Sequence, residues 1–80
     1  MKVYITRNHR YRAVFDIPWP KSLAASASVV LDHLVDAGFD RVNVRALGGG
    51  RYEAEGVWLH PDDDAEVPYL KEPPTDLGPI

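Results

Sequence analysis

One stretch of this chain, and only one, repeats its apolar residues at the helical period. From Ser22 to Ala37, the side chains Leu23, Ala27, Val30, Leu31 and Leu34 fall on a single stripe, with Val35 at its margin. Asp32 and Asp36 stand on the other side, where they repel one another weakly. A lone amphipathic helix buries such a stripe against a sheet, so the feature points to an α+β fold in two layers. Ser22 is the expected N-cap, because its hydroxyl can accept a hydrogen bond from an orphan N–H of the first turn. Gly38 followed by Phe39 is the expected stop, with the glycine in the left-handed position and Phe39 folding back over Leu34.

The flanking segments alternate instead. Val3, Ile5, Ala13, Phe15 and Ile17 occupy odd positions with Lys2, Thr6, Arg12 and Asp16 between them, the period of a half-buried strand. The polar stretch Arg7-Asn8-His9-Arg10 divides them. A hairpin turning near Asn8-His9 is preferred to one long bent strand, which would exceed the usual length. Pro18-Trp19-Pro20 ends this region, since a proline lacks the N–H that a sheet ladder needs. After the helix, Val42, Val44 and Ala46 alternate with Asn43 and Arg45. Gly48-Gly49-Gly50 then reverses the chain into a strand from Arg51 to His60. A phosphate-cradling role for the triglycine would need a helix to follow, and a strand pattern follows instead.

The expected order is therefore ββαββ, with one helix on a small, mainly antiparallel sheet. Residues 1–60 form the α+β domain, and residues 61–80 form an acidic, proline-rich, extended arm docked on it through Val67, Tyr69, Leu70, Leu77 and Ile80. Eighty residues suffice for one core of this kind, and with no cysteine neither a disulfide nor a thiolate zinc site braces it. No apolar run is long enough to span a bilayer, and Lys2 is followed by polar and basic residues rather than by a signal-type apolar core. These features lead to the expectation of a cytoplasmic protein without a membrane partner.

The net charge of −3 hides a division. Residues 1–52 hold eight Lys or Arg against four acids, and residues 53–80 hold one Lys against eight acids. If folding keeps these apart, the chain presents two surfaces of opposite sign. The basic set Arg7, Arg10, Arg12, Arg41, Arg45 and Arg51, with Tyr4, Tyr11 and Tyr52 as stacking candidates, suits nucleic acid. The acidic set Asp62, Asp63, Asp64 and Glu66 suits a basic protein partner.

Two further features favour protein recognition. Trp19 lies between prolines, placed either as an anchor for a partner's pocket or as a lid on one end of the core. Val57 and Leu59 share a strand face with Glu53 and Glu55, so either a bulge at Gly56 switches faces or something covers the outer surface.

Catalytic chemistry lacks a constellation. His60 with Asp62, Asp63, Asp64 and Glu66 is oxygen-rich, as magnesium and calcium prefer, but contiguous acids diverge and the spaced calcium-loop pattern is absent. His33 stands beside Asp32 without a nucleophile in evident reach. The reading is a non-enzymatic interaction module without cofactor or metal, an inhibitor or regulator that presents its acids to a basic or nucleic-acid-binding protein. Direct nucleic-acid binding through the basic strands is the alternative, and self-association through a sheet edge or an exposed apolar face is compatible with either.

Overall fold

The computed structural model describes residues 1–80 and contains six strands, one α-helix and one 3-10 turn. The strands are β1 (Lys2–Ile5), β2 (His9–Asp16), β3 (Asp40–Gly48), β4 (Arg51–Trp58), β5 (Asp63–Glu66) and β6 (Thr75–Pro79). The helix, α1, spans Ala27–Ala37. One layer is a four-stranded antiparallel sheet in the order β3-β4-β2-β6. The other is α1 beside the two-stranded antiparallel ribbon β1-β5. The chain is thus a small α+β domain with its helix packed against an antiparallel sheet.

The helix rests chiefly on β3 and β4. Its Val30 and Leu34 enter a cluster with Tyr11 and Phe15 of β2 and with Tyr52, Ala54 and Trp58 of β4. Val3 and Ile5 of β1 and Ala65 of β5 complete the same cluster, so the ribbon shares with the helix the work of covering the sheet. The arm after residue 60 supplies β5, the buried side chains Val67 and Leu70, and the edge strand β6. Without it, much of the sheet's inner face would meet water.

Several expectations are corrected. The helix begins one turn late. Ser26, not Ser22, is its N-cap, accepting a hydrogen bond from the Val29 N–H at 3.3 Å. Lys21–Ala24 forms the 3-10 turn, and Leu23 is 75% exposed rather than part of the buried stripe. Val30, Leu31 and Leu34 keep the helical period without it, because the stripe needs only the turns that face the sheet. The stop forms as expected. Gly38 adopts φ 114°, and the Phe39 N–H donates to the Leu34 carbonyl at 3.0 Å.

No hairpin joins β1 to β2. The chain turns at Arg7-Asn8, with Asn8 at φ 61°, but β1 pairs with β5 and β2 pairs with β4 and β6. The order ββαββ holds through β4, and the arm adds β5 and β6, two pairing partners that its composition did not announce, so that six strands form two sheets. No bulge interrupts β4 at Gly56, since its register with β2 is continuous from His9↔Trp58 to Asp16↔Arg51. The irregularities lie in the β3 pairing, near Arg41 at φ 50° and beside the triglycine turn.

Candidate interaction surfaces

Strand β2 runs between two ends of unlike character. Its eight residues span about 26 Å at roughly 3.3 Å per residue. At its start, the Asn8 N–H donates to the Trp58 carbonyl at 2.6 Å, and the Arg7 N–H donates to Asp62 Oδ1 at 2.7 Å. This is the acidic end. At its finish, the Ile17 N–H donates to the Gly50 carbonyl at 2.9 Å, bringing the triglycine turn against the segment that carries Trp19 and Leu23. This is the apolar end.

The acidic end is built on packed aromatic rings. Trp58 is 5% exposed, meets Phe39 edge-on at a centroid distance of 5.1 Å, and lies 5.2 Å from the His60 ring. Its Nε1–H donates to the Pro61 carbonyl at 3.0 Å, which fixes the bend leading to Asp62. Tyr4 stands opposite Asp64 across the ribbon, is 65% exposed, and places its hydroxyl 3.4 Å from Asp62 Oδ2. The Asp62 charge, reinforced by partial burial and by Asp64 and Asp63, raises the Tyr4 pKa above its ordinary value of 10.0. Asp63 Oδ1 accepts from the Asp64 N–H at 2.8 Å, and all three aspartates are exposed. None of the three has an ion-pair partner, and Arg7 meets Asp62 through its backbone alone. Glu66, the fourth expected acid, is 2.9 Å from the N-terminal ammonium.

The outer face of the four-stranded sheet is different. Alternation brings Arg10 and Arg12 of β2, Arg45 of β3 and Arg51 of β4 to that face, while Arg7 lies in the β1–β2 turn and Arg41 at the irregular start of β3. Acids interleave with them. Arg12 stands opposite Glu55, Arg51 opposite Asp16, and Arg45 contacts Glu53 at 2.8 Å. Lys71 reaches Asp16 at 3.0 Å across a groove of about 320 Å³ that Arg12, Arg51, Glu53 and Glu72 also line. Tyr11 and Tyr52 are buried, and Tyr4 lies among carboxylates on the other layer, so no aromatic platform accompanies these arginines. On this face acids and arginines thus interleave, with Arg45 alone of the six arginines in an ion pair and Arg10 opposite the apolar Val57, while a run of acids without cationic partners lies on the ribbon.

The apolar set does not assemble as expected. Val57 is 1% exposed within the chain itself and cannot touch a partner. Leu59 is exposed just beyond β4, whereas Trp19, 76% exposed, lies at the opposite end and does not close the core. Leu23 joins Trp19 there. Its place was missed because it matched the helical stripe. No group of three or more His, Cys, Asp or Glu side chains is arranged to hold a metal, and no helix is long and apolar enough to cross a membrane. Compared with protein-family models, curated proteins and solved structures, the chain matches none of them.

Proposed function

We propose that the protein is a small non-enzymatic interaction module, a regulator or inhibitor that offers its acidic end to a basic partner protein. The observation that carries this reading is the unequal treatment of carboxylates. Asp16, Glu53 and Asp76 of the sheet layer each have a cationic or imidazole partner, whereas the three consecutive exposed residues Asp62, Asp63 and Asp64 have none. Gathering like charges costs stability, and an incoming guanidinium or ammonium group relieves that cost. Tyr4 adds an exposed ring over which such a cation can sit, flanked by the carboxylates that would bind it.

The test is a titration of a fluorescent arginine-rich peptide, with a neutral peptide of equal length as control, followed by anisotropy. Binding is expected at low salt and is expected to weaken as salt screens the acids. The double variant Asp62→Asn/Asp64→Asn should lose most of it, and Tyr4→Ala part of it. Equal binding by the double variant and the unaltered protein would refute the reading.

A further inference from the structure

We infer that the apolar end is a docking tip for an anionic lipid surface. Trp19 and Leu23 are 76% and 75% exposed although the buried Ile17 lies only two residues before Trp19. They project from a connecting segment and a 3-10 turn, and Leu47, also exposed, stands at the neighbouring hairpin end just before Gly48. Protruding apolar side chains on short backbone turns suit a surface that yields around them, as the boundary between headgroups and acyl chains does.

The charge around the tip says which surface. Between Ile17 and Leu31 the only charged residue is Lys21, and Arg51 begins β4 immediately beyond the triglycine turn. Lys21 Nζ lies 5.8 Å from the Tyr69 ring centroid rather than in an ion pair, and Arg51 stands opposite Asp16 without contacting it, because the Asp16 carboxylate is paired with Lys71 at 3.0 Å. A cationic border disfavours a second copy meeting tip to tip and favours an anionic partner. The net charge of −3 does not oppose this. The Asp62 cluster lies about 26 Å away along β2, roughly three Debye lengths at physiological ionic strength.

Trp58 is buried, so Trp19 supplies the fluorescence change that reports contact. The full chain is mixed with phosphatidylcholine vesicles, with and without phosphatidylserine, and read by tryptophan emission, by quenching with a water-soluble quencher, and by co-sedimentation. With phosphatidylserine present, a blue shift, loss of quencher access and co-sedimentation are expected, all reduced by salt. Trp19→Ala and Leu23→Ser should each weaken co-sedimentation by roughly tenfold. Lys21→Glu should remove the preference for phosphatidylserine, and Asp62→Asn/Asp64→Asn should leave vesicle binding intact, which separates this surface from the acidic one. Absence of binding to either vesicle, or binding that ignores both Trp19→Ala and Leu23→Ser, overturns the inference and leaves Trp19 to a protein pocket.

Discussion

The two tryptophans mark the two ends of this molecule, and the chain treats them in opposite ways. Trp58 is buried, packed edge-on against Phe39, hydrogen-bonded to the Pro61 carbonyl, and holds the bend from which the aspartates project. Trp19 is held out by a proline-flanked segment, and its indole takes no part in the buried cluster. At the first end, a rigid apolar base presents polar groups. At the second, a backbone turn presents apolar groups. The same residue type therefore has opposite expected costs of removal, and that difference can be measured directly.

Trp58→Ala should be the most damaging change. It deletes a core ring and a satisfied hydrogen bond, and large-to-small changes of this kind cost about 3–5 kcal/mol. A domain of this size has a total stability of only about 5–10 kcal/mol, so this loss consumes much of it. Trp19→Ala should change stability by no more than about 0.5 kcal/mol, as surface substitutions do. Urea denaturation of both variants, followed by far-UV circular dichroism, makes the comparison. Similar losses would break the contrast between the ends.

The apolar end can also be weakened without touching Trp19. A Cβ at Gly50, where φ is 81°, would lie 2.7 Å from the Ile17 carbonyl oxygen and 2.9 Å from Ser22 Cβ. Gly49 shares the left-handed backbone, but a Cβ there meets nothing within 4 Å. Gly49→Ala should cost about 1 kcal/mol for conformation alone. Gly50→Ala should cost about 2–3 kcal/mol, because it must also push the turn away from the Trp19 segment. Equal costs in the same denaturation assay would mean that the turn is not seated against that segment.

Periodicity made much of this architecture legible. The α1 stripe, the Gly38-Phe39 stop, the inward face Tyr52-Ala54-Gly56-Trp58 and the triglycine reversal all depend on local spacing, which a sequence displays. What stayed hidden depends on pairing between distant segments. Asp63–Glu66 reads as an acidic loop, and only β1 as a partner makes it a strand. Leu23 continues a helical stripe in sequence, but Ser26 caps the helix after it. The acids of the candidate site were legible as a run. That they would keep their excess, while Arg12, Arg45 and Arg51 met acids across the sheet, follows from a register that no local pattern encodes. Tyr4 was visible only as a stacking candidate, for the same reason.

A smaller effect concerns the acidic end. Asp62→Asn/Asp64→Asn should raise the urea midpoint modestly, because it removes repulsion between exposed carboxylates. The gain should fade as salt is added. A lowered midpoint would indicate that these aspartates serve the fold and would weaken the contrast with the paired carboxylates Asp16, Glu53 and Asp76.

The smallest effect separates a compensated carboxylate from its neighbours at that same end. The Gly78 N–H and His9 hold the Asp76 carboxyl below the usual carboxylate range, with donor–acceptor distances of 2.7 Å and 2.9 Å. A lowered folded-state pKa means that the stabilisation is fully present above the unfolded value of about 3.9 and is lost as pH falls through the folded value. Strand β6 contributes no residue to the core cluster, and its far end is held where the Ile80 N–H meets the Asn8 carbonyl at 2.9 Å. Acid should therefore loosen β6 before it unfolds the domain. Amide exchange at Gly78 and Ile80 should accelerate, relative to the β2–β4 ladder, as pH drops below about 4, after correction for the intrinsic pH dependence of exchange. Asp76→Asn should show that faster exchange at neutral pH, since it removes the charge that the Gly78 N–H and His9 stabilise. Uniform acceleration across all strands would instead join β6 to the cooperative core.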